Sequence, residues 1–176
     1  GIVATFKSKT AIIAAANPKY GRFNKNMYPA DQFNIPSTLL SRFDLIFPMF
    51  DEIEEERDRM LATHILNSHA NIANESHNNE DLMEVDFIRK YISYARKYIF
   101  PRLTPEAMTL LSDYYIQMRN LGKKQGSIPI TARQIEGLVR MAEASAKARL
   151  CEYVEAQDAE RSIRLFDYSL RLIAMD

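Results

Sequence analysis

Ala14-Ala15-Ala16-Asn17-Pro18-Lys19-Tyr20-Gly21-Arg22-Phe23-Asn24, followed by Ser41-Arg42-Phe43-Asp44-Leu45-Ile46-Phe47, decides how this chain reads. The apolar run Ala11 to Ala16 ends abruptly in a single amide side chain, Asn17. A short continuous apolar run bounded by Lys9 and Asn17-Pro18 predicts a strand buried on both faces, although length alone also admits a helix. A proline biases the preceding residue away from helical backbone, so the strand is expected to end in an extended turn. Further on, Arg42 stands between two short apolar blocks. A polar tip on a buried strand, with an arginine on a nearby loop, is the arrangement needed around a nucleotide's γ-phosphate.

Composition narrows the setting. At 176 residues the chain has room for one ordinary domain or two small ones with a real core. Its 23 basic and 23 acidic residues balance, so any nucleic-acid contact must come from a local patch. The single Cys151 has no partner for an intrachain disulfide, which fits a reducing, intracellular compartment. No run is long and apolar enough to predict a membrane span. The opening Gly1-Ile2-Val3-Ala4-Thr5-Phe6 begins in mid-pattern without a methionine and reads as part of a longer protein.

The pattern along the chain changes at about residue 51. Before it, residues 24–36 read as loop, Ser37 to Leu40 as one helical turn with Ser37 as its cap, and Leu45 to Phe50 as a second short strand shortened by Pro48. From Asp51 an acidic helix start is followed by Met60, Leu61, Ile65 and Leu66 near a common face. Residues 67–84, rich in Asn, His, Ser and acids, read as a linker. Four helices are expected beyond it. Asp86 to Ile99 carries Phe87, Tyr91, Ala95 and Tyr98 at helical spacing. Thr104-Pro105 is an N-cap and first helical residue, with the helix reaching about Asn120. Gly122 to Ser127 reads as a polar connection. Thr131 and Gln134 form a capping box opening a helix to about Leu150, and Gln157 to Met175 is the last.

Four side chains carry candidate chemistry. The Asn17 amide can orient a water without bearing charge, though an Asn before Pro also commonly caps a turn. The Arg42 guanidinium can stabilise charge building on a transferring phosphoryl group; its other reading is a structural ion pair with Asp44 or a nearby acid. Arg133 lies in the first turn of a helix, where free N–H groups and the dipole favour an anion. Arg140 follows two turns on, on roughly the same face. Its alternative, like that of Arg133, is an exposed helical ion pair. Lys7 and Lys9, with Lys19 and Arg22 and the interleaved Tyr20 and Phe23, have a composition suited to DNA, though their ordinary reading is as solvated surface charges. The histidines His64, His69 and His77 and lone cysteine make no zinc pattern, and no metal ligands are expected. The chain contains no G-x-x-x-x-G-K-[ST] loop and no apolar run ending in Asp-Glu.

On these segments, together with Tyr91-Ile92-Ser93-Tyr94-Ala95-Arg96-Lys97 and Pro129 to Glu136, the chain resembles the minichromosome maintenance (MCM) replicative helicases of the AAA+ ATPase class. The resemblance implies a mainly α chain with a small α/β part. The distal portion of an AAA+ core would cover residues 1–68, a linker 69–84, and an α-helical lid 85–176. It implies that Asn17 is sensor 1, Arg42 the arginine finger and Arg133 the sensor-2 arginine, with Arg140 auxiliary. Arg42 and Arg133 would serve the neighbouring subunit's nucleotide. It further implies ATP and Mg²⁺ as cofactors of the full protein, a homo- or hetero-hexameric ring, DNA and other replication factors as partners, and a place in the nucleoid or nucleus. Lacking the phosphate loop and its Mg²⁺ ligands, this stretch by itself is expected not to hydrolyse ATP. Two rivals remain: another AAA+ machine, and a non-catalytic interaction module.

Overall fold

Apolar residues at i, i+3 and i+4 give each of the last four helical segments one apolar side, and burying those of the last three together makes the core. The computed structural model describes residues 10–24, 26–51, 53–70, 83–124 and 131–173. Among these, a 3₁₀ turn at Pro29–Gln32 precedes α1 (Ser37–Leu40), α2 (Glu55–Ala70), α3 (Val85–Tyr98), β1 (Arg102–Leu103), α4 (Pro105–Lys124), α5 (Ala132–Ala148), β2 (Tyr153–Val154) and α6 (Ala156–Ile173). The chain is mainly helical, and its described strands are two residues each, paired in parallel with Arg102 opposite Tyr153 and Leu103 opposite Val154. Such short strands carry no alternation for a sequence to display. No helix of the described residues is long and apolar enough to cross a membrane.

The core joins α4, α5, β2 and α6 through Ala107, Leu111, Leu138, Ala142, Ala146, Val154, Ala159 and Phe166. Alanines on facing sides of α5 and α6 keep side-chain bulk out of the seam. Ser162 Oγ, buried in that seam, donates to the Leu138 carbonyl at 2.7 Å. Caps set the starts of α4 and α5 as expected. Thr104 Oγ1 accepts the Ala107 N–H at 3.3 Å and donates to the Val154 carbonyl at 2.8 Å, fastening α4 to β2. Thr131 and Gln134 form the capping box of α5. At the other end of α5 the N–H of Leu150 reaches the Lys147 carbonyl and that of Cys151 the Ala146 carbonyl. This double closure places Leu150 at φ 57°, a left-handed position usually given to glycine. Thr104→Ala is expected to cost about 1 kcal/mol, read as a lower urea midpoint that Thr104→Ser restores.

One buried polar atom stands without a partner among the described residues, the hydroxyl of Tyr114 on α4, whose ring meets Phe166 edge-on at 6.4 Å. Burial, then the nearby Asp167 charge, pushes its pKa up to about 12. Tyr114→Phe is therefore expected to stabilise the fold by up to about 1 kcal/mol, because an unsatisfied group is removed and the ring retained. An unchanged or lower melting temperature would show that the hydroxyl is satisfied in solution.

Three expectations need correction. Residues 11–17 form no strand and every one is exposed, Ile13 fully so. A strand buried on both faces needs a strand on either side and layers above and below, and no described residue pairs with this run. Residues 45–50 are not a strand either. The Ile46 N–H and carbonyl bind the Ser169 hydroxyl of α6, at 3.0 and 2.8 Å, instead of a neighbouring ladder. The connection expected from Gly122 is helical through Lys124, while 125–130 lie outside the described residues.

α2 forms with Glu55, Glu56 and Asp58 in its first turn, as the acidic start implied, yet buries no side chain. Its last residues are 69 and 70; most of the stretch read as a linker, 71–82, lies outside the described residues.

Candidate functional site

The loop carrying Arg42 is built by local hydrogen bonds. The Pro36 carbonyl accepts the N–H groups of Leu39 and Leu40, and the N–H groups of Arg42 and Phe43 continue the winding onto Leu39 and Leu40. Ser41 Oγ donates back to the Thr38 carbonyl at 3.1 Å. The chain then drops onto the lid helices, Leu45 packing on the core and Phe47 lying 6.3 Å from Tyr168 on α6. Ser37 is the first helical residue of α1, with the Pro36 carbonyl in the capping place that had been expected of Ser37.

α5 grips this loop from the other side. Arg133 Nη1 donates to the Ser41 carbonyl at 3.3 Å. Two turns on, Arg140 holds Asp44 with both arms of its fork, Nη2 to Oδ1 at 2.7 Å and Nε to Oδ2 at 3.3 Å, and lies 3.7 Å from Glu136. The hydrogen bonds to Asp44 raise the Arg140 pKa above its ordinary value; burial, the next largest cause, opposes the rise, and the Asp44 and Glu136 charges add to it. Between the two arginines sits Gly137, and a Cβ there would lie 2.8 Å from Asp44 Oδ1. The bare backbone is what lets the carboxylate approach α5.

The loop arginine itself is left open. Arg42 is exposed, and among the described residues no side chain pairs with it. Asp44, one partner its structural reading offered, pairs with Arg140. The Arg42 loop and the start of α5 thus lie together, through contacts spanning 92 and 96 residues. Arg140 spends its guanidinium on Asp44 and Glu136 within this chain.

Asn17 stands elsewhere, exposed at the end of the unpaired apolar run, and no hydrogen bond joins it to the three arginines. The turn after it is organised by Gln32, a residue the sequence reading passed over. Pro18 bridges Phe33, and the Lys19 N–H reaches the Gln32 carbonyl at 2.7 Å. The fully buried Gln32 side chain accepts the Asn24 N–H at 2.6 Å and donates to the carbonyls of Asn24 and Met27. One amide therefore satisfies backbone groups that no ladder serves. Lys7 and Lys9 lie outside the described residues. Among the described residues no three His, Cys, Asp or Glu side chains converge as metal ligands.

A small helical bundle holding an arginine-bearing loop is consistent with the distal part of an AAA+ core followed by its lid. Residues 1–69 match the family model described as the MCM P-loop domain, and residues 86–170 match the one described as the MCM AAA-lid domain. The chain belongs to the minichromosome maintenance family. It is 41% identical over 178 residues to the minichromosome maintenance protein MCM of Saccharolobus solfataricus, covering all of this chain and 25% of that protein. With the DNA replication licensing factor MCM4 of Oryza sativa subsp. japonica it shares 42% over 182 residues, all of this chain and 21% of the relative. With human DNA helicase MCM8 it shares 34% over 204 residues, 97% of this chain and 24% of the relative. The chain thus spans about a quarter of the length of these curated relatives.

Proposed function

We propose that this chain supplies the distal AAA+ core, residues 1–68, and the lid, residues 85–176, of a replicative helicase in which a hexameric ring couples ATP hydrolysis to DNA unwinding. The observation that carries the reading is the state of Arg42: an exposed guanidinium without a counterion among the described residues, on a loop braced by α5. Such a group fits an anionic phosphate brought by another subunit, and the charge developing in phosphoryl transfer is what it would stabilise. Arg133, bound to the carbonyl next to Arg42, would reach the same neighbouring nucleotide. Asn17 would orient water at the nucleotide of its own subunit. ATP is the substrate, and Mg²⁺ would neutralise its phosphates when bound. No described residue cluster fits Mg²⁺, so its ligands are assigned to the rest of the protein, as is the phosphate-binding lysine. Lys7 and Lys9 would face DNA from the segment preceding Asn17.

Trans-complementation tests the reading. In the full-length protein, Arg42→Ala subunits are mixed with subunits whose phosphate-loop lysine is changed to alanine. Each is inactive alone, and mixed rings regain ATP turnover because an intact phosphate loop then meets an intact Arg42. Failure to regain any turnover in mixed rings of confirmed size would refute action across the subunit boundary.

A further inference from the structure

Resting on the reading of Arg42 above, we infer that Asp44, Arg140 and Gly137 form a clasp that positions Arg42: the lid, through α5, sets where the finger points. The four residues of the loop, Ser41 to Asp44, are tied at both ends. Arg133 holds the carbonyl immediately before Arg42, and Arg140 holds the side chain two residues after it. Ser169 of α6 fixes the main chain two residues further, at Ile46. Arg133, Gly137 and Arg140 follow one another at spacings of four and three along α5, so they share one face of it. The fork geometry of a two-armed arginine–carboxylate pair fixes orientation as well as distance. A group acting on a transition state loses its effect when displaced by about 1 Å.

The clasp has a second consequence. Asp44 is the acid nearest Arg42 along the loop, and released from Arg140 it would be free to pair with Arg42 and neutralise it. Arg140 therefore both aims the loop and occupies the carboxylate nearest the finger along the loop. This places Arg140 as a positioning residue acting through Arg42, in contrast to an auxiliary contact to the nucleotide.

Three variants of the full-length protein, Arg140→Ala, Arg42→Ala and the double variant, decide it by ATP turnover, followed as radiolabelled phosphate release so that residual rates are read. Arg140→Ala is expected to lower kcat about 10- to 100-fold with KM for ATP, ring size and melting temperature unchanged, since the pair is half-exposed. The double variant should be no slower than Arg42→Ala, because a residue acting through another adds nothing once that other is gone. Gly137→Ala, whose Cβ pushes Asp44 off α5, should reproduce Arg140→Ala, and Arg140→Lys should recover part of the rate. If the double variant is slower than Arg42→Ala by the full Arg140→Ala factor, or if Arg140→Ala turns over normally beside an inactive Arg42→Ala, the clasp is wrong and the finger stands. Normal turnover by Arg42→Ala itself would overturn both.

Discussion

Arg42→Ala in the full-length, ring-forming protein is expected to cut ATP turnover by about a thousandfold or more while leaving the ring assembled. The size follows from where the guanidinium acts. Charge spreads over the phosphoryl oxygens in the transition state, and a cation in a water-poor site stabilises it far more than the ground state. The fold should tolerate the change, since Arg42 is exposed and its side chain has no partner among the described residues. ATP binding should weaken little, so the loss falls on kcat. Arg42→Lys keeps the charge without the planar fork, and an intermediate rate is expected. Full turnover by Arg42→Ala in rings of normal size would leave Arg42 a surface residue and favour a non-catalytic role for this region.

Asp158→Asn is expected to produce the largest loss of stability in the lid, about 3 kcal/mol, or roughly 12 °C in melting temperature for a domain of this size, and Arg149→Ala to lower the melting temperature as well. Asp158 is 1% exposed and every oxygen is engaged. Arg149 Nη2 meets Oδ2 at 2.6 Å and Nε meets Oδ1 at 3.1 Å, while Ser145 Oγ donates to Oδ1 at 2.7 Å and the Glu155 N–H to Oδ2 at 3.1 Å. The pair ties the end of α5 to the start of α6, and losing the arginine leaves a buried carboxylate without its counterion. Burial raises the Asp158 pKa, yet the bonds from Arg149, Ser145 and Glu155 outweigh it and hold the carboxyl below its ordinary 3.8. A depressed folded-state pKa contributes stability above the unfolded value, and that contribution is lost as pH falls through the folded one. Wild type should therefore lose melting temperature below about pH 4, whereas Asp158→Asn starts lower and lacks this contribution to the acid slope. Parallel pH profiles of the two would show the pair to be dispensable.

Much of the lid was legible because its signals are local. The stripes of α3 to α6, the proline after Thr104 and the capping box at Thr131 each depend on residues within one or two turns. The order of the Asn17, Arg42 and Arg133 segments pointed to the family, which the matches to residues 1–69 and 86–170 show. The apolar runs at 11–16 and 45–50 misled for one reason. Hydrophobicity states that a segment has something to bury, and the choice of strand or strap depends on what lies beside it. For Ile46 that neighbour was a serine hydroxyl 123 residues away. Gln32 was passed over because a buried amide serving three backbone groups leaves no pattern in the chain.

By itself, then, the sequence determined the lid helices, the caps at Thr104 and Thr131, the family and the three candidate segments, since periodicity and linear motifs are properties of neighbouring residues. Tertiary structure alone decided that Asp44 goes to Arg140 and not to Arg42, that Gly137 makes room for it, and that Arg133 reaches the carbonyl of Ser41. Ion pairs form between whichever charges the packed backbone brings within a few ångströms, and a separation of 96 residues carries no trace of that distance.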